Sequence, residues 1–376
     1  SFNNETDQFC FVHVSLVSKM SVTNEIKTKP TQNSVKELRQ LGISPDLIVV
    51  RSEGVIEEPI RRKLSLFCQV PETHIIVNPD FPTIYHVPLI FHKQNIECLI
   101  ARTLSLEIAG ANIELDNIMK FTSFYDSNIT RRINIGIIGK YTGLTDSYLS
   151  LIRAIEHAAF HNDCFVDIVW ISSENLSEPT SVEWDTIKAC QGIIIPGGFG
   201  TRGVEQMIQA ADYTLRNNIP TLGICLGFQA MHLAVARMGD VTPADYKITS
   251  EEFISAEAKE KYDWVDRTLF RKGEMLLGGF EPSTRDIIGF IDGAPITDFK
   301  NHTERYRHRY HIVDENCKSV AAVASQQGFN EIRNLQQGLK YWVGVQFHPE
   351  FQTSLDKPHR LFTELIKMCI CQISAK

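Results

Sequence analysis

Apolar and polar positions along this chain fall into two rhythms: short apolar runs closed by turn residues, and longer stretches with helical spacing. In the first third, Ser34–Leu41 has helical spacing after a Thr-Gln-Asn-Ser turn. The branched run Asp46–Val50 then predicts a buried strand, Glu57–Cys68 a helix and Thr73–Val77 another short strand. No clean strand opens the chain. A weakly patterned stretch follows, roughly Ala111–Thr130, and then the alternation restarts. Strands are expected at Ile133–Ile138, Val166–Ile171, Gly192–Ile195, Thr221–Ile224 and Tyr341–Gln346. Helices are expected at Asp146–Phe160 (with Asp146 as N-cap), Val204–Asn217, Phe228–Met238 and His359–Ile370. From Val241 to Lys300 the pattern is too poor to assign order.

Strand and helix in alternation predict an α/β fold with a parallel sheet, here twice over. The expected division is residues 1–115, a linker at 116–130, and residues 131–376. A chain of 376 residues can bury two cores. Its 43% hydrophobic and 22% charged composition is ordinary for a soluble globular protein, and a formal charge of −7 speaks against a nucleic-acid scaffold or a polybasic membrane patch. No apolar run reaches the roughly 18 residues of a membrane span. Phe9–Val17 lacks the basic leader and cleavage site of a signal peptide. Nine cysteines without CxxC pairs suit a reducing compartment, with the cytosol (a cytoplasmic location) as default.

Three motifs carry chemistry. In Thr221-Leu-Gly-Ile-Cys-Leu-Gly-Phe-Gln229, an apolar strand runs into Cys225, flanked two residues away by glycines, and a helix begins. A nucleophile on so tight a turn stands clear of the sheet, and the helix N-terminus favours a thiolate. A buried structural cysteine in a glycine-rich turn is the competing reading of this pattern. In Gln346-Phe-His-Pro-Glu-Phe351, residues i and i+2 of an extended backbone share a side, so Glu350 can orient His348 as base; a surface turn is the rival. Pro196-Gly-Gly-Phe-Gly200 follows another buried strand; its N–H groups, with that of Leu226, can hold an oxyanion, or it is merely a flexible loop. Gly136-Ile-Ile-Gly-Lys140 lacks the spacing of a phosphate loop and reads as a strand end.

Taken together, Pro-Gly-Gly after a strand, Gly-Ile-Cys-Leu-Gly-x-Gln and Phe-His-Pro-Glu resemble the class I glutamine amidotransferases. The resemblance implies a doubly wound glutaminase domain, a thioester on Cys225, ammonia release, and water attack with His348 as base. Lys27-Thr-Lys-Pro-Thr-Gln-Asn-Ser34 narrows this. With Gly42-Ile-x-Pro-Asp46, Arg51-Ser52, Phe67-Cys-x-Val-Pro71, Gly139-Lys-Tyr141, Asp146-x-Tyr148 and Arg307-His-Arg-Tyr310, it resembles the CTP synthase family over most of the chain. The first segment would then be the C-terminal part of an α/β amidoligase (synthetase) domain.

By that resemblance Lys27, Thr28, Lys29, Pro30, Thr31, Gln32 and Lys63 would bind UTP, and CTP as inhibitor; Asp80 would lie near the ATP base. Lys27 and Lys29 suit triphosphate oxygens, and Gln32 a pyrimidine edge. Gly198, Leu226, Gly227, Phe228 and Gln229 would line the glutamine pocket, Glu252 would meet the α-amino group and Arg309 the α-carboxylate. ATP and Mg2+ would serve the complete enzyme, joined in a homo-oligomer, a tetramer, with an enclosed passage carrying ammonia between domains; glutamine hydrolysis needs no cofactor. The family's phosphate loop and magnesium carboxylates are not matched, so no metal site and only glutaminase activity are expected of this chain. Phe253–Lys300 keeps little of the family pattern beyond Gly278-Gly279, which puts activation by GTP in doubt, and Phe228 stands where methionine is commoner. Alternatives are the small-subunit glutaminase of carbamoyl-phosphate synthetase, a non-catalytic glutamine-sensing or filament-forming protein, and a cysteine peptidase.

Overall fold

The structure, a computed structural model, describes residues 9–20, 25–107, 114–127, 131–177, 181–240, 270–280, 287–291, 294–295, 303–312 and 341–374. It divides into two compact units, Ser1–Asn128 and Ile129–Lys376.

The first unit runs β1 (Val12–Lys19), β2 (Ile26–Lys27), α1 (Lys29–Gln40), β3 (Leu47–Ser52), α2 (Glu58–Cys68), β4 (Ile75–Pro79), α3 (His86–Lys93), α4 (Ile96–Thr103) and α5 (Asp116–Tyr125). Its sheet has the order β2-β1-β3-β4, with β1, β3 and β4 parallel and β2 antiparallel to β1. The near-continuous apolar run of β3 is explained by its central place, covered on both faces. A strand does open the chain, contrary to expectation. On β1 the sequence Val12-His-Val-Ser-Leu16 does alternate, but Val12, Val14 and Leu16 are exposed and only Val17 of the strand is buried, so the apolar side is not the core side. The expected turn at Thr31–Ser34 is instead the first half of α1. Pro30 presets helical φ in the first turn, and Thr31 and Val35 bury against the sheet. The span read as a linker holds α5, whose Phe121 packs edge-on against Tyr85 at 4.7 Å.

The second unit runs β5 (Arg132–Gly139), α6 (Leu149–His161), β6 (Phe165–Ser172), α7 (Val182–Ala189), β7 (Gly192–Ile195), α8 (Val204–Arg216), β8 (Thr221–Ile224) and α9 (Leu226–Asp240). It continues with β9 (Phe270–Phe280), β10 (Ile287–Ile291), β11 (Ala294–Pro295), β12 (Glu304–Ile312), β13 (Tyr341–Val345) and α10 (Arg360–Ser374). Seven strands form one sheet in the order β11-β10-β13-β8-β7-β5-β6, parallel from β13 to β6. One core lies under α8 and α9 and a second under α6 and α10, the mark of a doubly wound layer. Strands β9 and β12 pair separately as an antiparallel ribbon. Asp146 is not an N-cap: it sits in a 3-10 turn, Thr145–Tyr148, ahead of α6. Strands β9 and β10 fall in the region left unassigned. No helix among the described residues is long and apolar enough to cross a membrane.

Two glycines make the junction of β8 and α9 possible. A Cβ on Gly227 would lie 1.9 Å from the carbonyl oxygen of Ile195, and one on Gly223 would lie 2.3 Å from Sδ of Met231. The first obstacle is backbone of β7 and cannot yield. Gly227→Ala is therefore expected to cost about 3 kcal/mol or more. Gly54→Ala, whose new methyl meets nothing within 4 Å, should stay within about 0.5 kcal/mol. Urea denaturation of the two variants measures the contrast.

Candidate active site

Strand β8 ends at Ile224, and the next residue, Cys225, takes a left-handed φ of +53°. That conformation costs a non-glycine residue about 1 kcal/mol or more and persists only where the surroundings enforce it. They do: the Cys225 N–H donates to the Val345 carbonyl of β13 at 2.8 Å, and its own carbonyl accepts the Gln229 N–H at 3.1 Å, opening α9. The sulfur is thereby raised above the carboxyl ends of β7, β8 and β13. A helix's first N–H groups lack acceptors within the helix, so Leu226 presents its N–H at this point.

His348 follows β13 by three residues. Its N–H donates to the Arg305 carbonyl at 2.7 Å, which ties it to β12. Nδ1 meets Oε1 of Glu350 at 2.7 Å, and both side chains are nearly buried. The expected pairing forms, though by a different backbone: Pro349–Phe351 is a single 3-10 turn, and the curl of that turn brings the carboxylate round to the ring. Nε2 is buried and makes no hydrogen bond to oxygen or nitrogen. Gly197 shows how near the sulfur is, since a Cβ there would touch Cε1 of His348 at 3.0 Å and Cβ of Cys225 at 3.5 Å. Burial disfavours the imidazolium, but the hydrogen bonds and charges of Cys225 and Glu350 outweigh it and push His348 up to about 10.

Lys140, at the end of β5, secures the glycine loop. Its Nζ donates to the carbonyls of Phe199, at 3.2 Å, and Gly200. Burial, then the nearby charge of Arg202, lower Lys140 to about 8. Arg202 in turn donates to the Lys140 carbonyl at 3.0 Å and pairs with Glu174 at 2.8 Å. Gly198 faces both Lys140 and the side chain of Leu226. A cleft of about 220 Å³ opens here, lined by Cys225, His348, Glu350, Gly197, Gly198 and Arg307, among others. Arg307 sets its guanidinium 5.5 Å from the ring of Phe199.

The expected glutamine contacts divide. Gly198 lines the cleft and Leu226 packs beside it. Of the others, Gly227 abuts Ile195, the Phe228 side chain is fully buried in the core under α8 and α9, and the Gln229 side chain holds Gln346. Arg309 is in β12, at the register shift between His308 and Tyr310. Glu252 lies outside the described residues.

In the first unit, Lys27 pairs with Glu25 at 2.7 Å, and Lys63 adds its charge to the same carboxylate, so these two lysines converge. Lys29 and Pro30 open α1. Thr28 and Thr31 are buried, and Gln32 donates to Thr28 at 3.0 Å, which engages part of the amide expected to read a base. Asp80 is exposed, 3.8 Å from Arg51.

Sequence reasoning passed over Lys140, Arg307 and Gln346 as site residues. Their signal was adjacency to recognised motifs, which becomes meaningful only once β5, β7, β12 and β13 are known to converge.

A cysteine on a left-handed strand-to-helix turn, with a His-Glu pair beyond a neighbouring strand and a glycine loop beside it, defines a class I glutamine amidotransferase domain. The family model described as glutamine amidotransferase class-I matches residues 143–368, and the model described as CTP synthase N-terminus matches residues 1–106. CTP synthases of Clostridium kluyveri and Mycoplasma capricolum are 34% and 37% identical, each match covering 96% of this chain and 67% of the relative. That of Clostridium acetobutylicum is 35% identical over 98% of this chain and 68% of its own length. A solved Trypanosoma brucei structure, described as a CTPS glutaminase domain with bound acivicin, aligns at a TM-score of 0.44 and 24% identity, covering 64% of this chain and 94% of that one. The chain belongs to the CTP synthase family, and it spans about two thirds of the length of these relatives. The carbamoyl-phosphate synthetase alternative is thereby set aside.

The elevated imidazole has a checkable pH signature. A folded value of about 10 lies above the unfolded value of 6.5. The interaction therefore contributes stability in full below pH 6.5 and loses it as pH climbs to about 10. Nitrogen-15 NMR should find His348 protonated at pH 8, and Glu350→Gln should lower its titration by about one unit or more.

Proposed function

We propose that this chain hydrolyses glutamine through a thioester on Cys225. The proton shared by the Cys225 sulfur and Nε2 of His348 rests on the imidazole, as its raised value favours, which leaves the sulfur a nucleophilic thiolate. The sulfur attacks the amide carbon of glutamine, and the oxyanion is received by the N–H groups of Leu226 and Gly198. His348 then protonates the leaving nitrogen, and ammonia departs. Water, deprotonated by the same nitrogen, attacks the thioester carbon, and glutamate leaves as the thiol re-forms. Glu350 keeps Nδ1 protonated throughout, so that Nε2 faces the reaction.

In a chain as long as its relatives, the ammonia would aminate UTP to CTP in an ATP-dependent step. Lys27 and Lys63 are the cations for the triphosphate, on condition that Glu25 releases them. Among the described residues no group of three or more His, Cys, Asp or Glu is placed to hold a metal ion, so no step is derived through Mg2+. CTP inhibition, homo-oligomeric assembly and a cytoplasmic location belong to the same reading.

One observation carries this proposal. The imidazole is anchored at Nδ1, and its other nitrogen is buried without an oxygen or nitrogen partner on the side of the elbow cysteine. Cys225→Ala should abolish glutamate release from glutamine, and His348→Asn should slow it by about a thousandfold. A coupled glutamate assay decides; release surviving in Cys225→Ala would place the chemistry elsewhere.

A further inference from the structure

Gln346 precedes the Phe-His-Pro-Glu motif and lies at the end of β13, yet no role in the chemistry described so far falls to it. It is 2% exposed. Its Nε2 points at the Cys225 sulfur from 3.6 Å, and its Oε1 accepts Nε2 of Gln229 at 3.0 Å. Gln229, itself 3% exposed, is held by the first turn of α9. The chain of contacts therefore starts at the elbow, passes through two buried amides and returns to the elbow's sulfur.

Two buried primary amides are costly to desolvate unless their polar groups are engaged. This pair faces only a few partners. With Gln229 donating to the Gln346 oxygen, the end of the Gln346 amide that meets the sulfur is the donor. A thiol has little use for a donor, because its sulfur is a weak acceptor. A thiolate is a full anion and gains most from one, above all in a water-poor site. On the opposite side, the Cys225 sulfur lies 3.8 Å from the Arg307 carbonyl, an acceptor that suits only the protonated form. Besides the hydrogen bond it shares with His348, the sulfur thus meets an amide donor suited to its anion and a carbonyl suited to its protonated form.

We propose that Gln346 is a catalytic residue of the glutaminase reaction, its amide N–H stabilising the Cys225 thiolate and fixing the sulfur's direction, with Gln229 as the positioning residue that holds the amide in register. This rests on Cys225 being the nucleophile. It also gives the last residue of the Cys-Leu-Gly-Phe-Gln motif a task distinct from touching substrate. When the thiolate attacks, the sulfur becomes neutral as its charge moves to the oxyanion, and the donor loses its anion. Collapse of the second tetrahedral intermediate, formed by water, expels the sulfur as thiolate and returns the anion to the donor before the thiol re-forms. Gln346 gives and takes no proton at any stage.

The test is the pH dependence of Cys225 alkylation by iodoacetamide, followed by peptide mass spectrometry on the intact chain, with exposed Cys371 as internal reference. Because no turnover is involved, this readout stands whether or not glutamine is hydrolysed. Failure of the proposed function would appear instead as absent glutamate release with a normal alkylation profile. Gln346→Glu replaces the donor with an acceptor, and should move the midpoint of Cys225 alkylation upward by at least about one unit, a tenfold loss of rate at neutral pH. Gln346→Met, close in shape but without a donor, should shift it less, and Gln229→Met should fall between that variant and the parent. Asp146, Tyr141, Tyr148, Arg307, His348 and Glu350 also line the cleft and are unaltered in all three. Near-UV circular dichroism confirms that each variant is folded; one that is not is replaced by Gln346→Asn, which keeps the amide but shortens its reach and should shift in the same direction. Coincident alkylation profiles for the parent and the folded Gln346 variants would overturn the proposal.

Discussion

The backbone of Cys225 adopts a conformation that an L-residue avoids, and neighbours on three sides hold it there. Val345 accepts its N–H, Gln229 donates to its carbonyl, and Gly227 lets α9 start hard against the Ile195 carbonyl of β7. Remove any of these and the chain would leave β8 by a gentler path, with the sulfur turned down into the core. The rest of the site is arranged around that point. The glycine loop, the His-Glu turn and the donor at Gln346 all arrive from strands adjacent to β8 in the sheet.

Burial then decides the electrostatics. Lys140 is an amine in a largely enclosed place, held by two loop carbonyls, and its proton is correspondingly less secure. His348 suffers the same desolvation but faces a carboxylate and a sulfur, and the balance reverses. The two groups end up on opposite sides of their usual values, one holding the glycine loop and the other lining the cleft. Local partners, more than depth, set the sign.

Much of this was visible in the amino-acid sequence. β7, β8 and β13 are short apolar runs that end in glycine or in polar motif residues, so both strands and chemistry were legible. What escaped notice had physical reasons. β1 alternates over Val12–Leu16, but its apolar side is the exposed one and the run is broken by the adjacent pair Leu16-Val17, so it does not read as a core-facing strand. α5 was taken for a linker because its buried residues, Phe121, Thr122 and Phe124, cluster in one turn instead of forming a long stripe. Among the described residues β9 and β12 pair with each other and with no other strand. At the site, Cys225, His348 and Glu350 declared themselves by type and spacing. Gln346, Lys140 and Arg307 did not, since a glutamine after a strand or a lysine at its end is usually a solvated residue. A helix turns successive side chains by about 100°, and after the nucleophile this sends the Phe228 side chain into the core and the Gln229 side chain onto Gln346, neither of which spacing alone announces.

A chloroketone analogue of glutamine tests most directly whether the elbow sulfur is a nucleophile that recognises an amide side chain. The account predicts alkylation of Cys225 in one-to-one stoichiometry, suppressed by added glutamine and mapped to the peptide that contains Gly223 and Gly227. Labelling that falls on exposed Cys371 instead, or that glutamine fails to suppress, would contradict it.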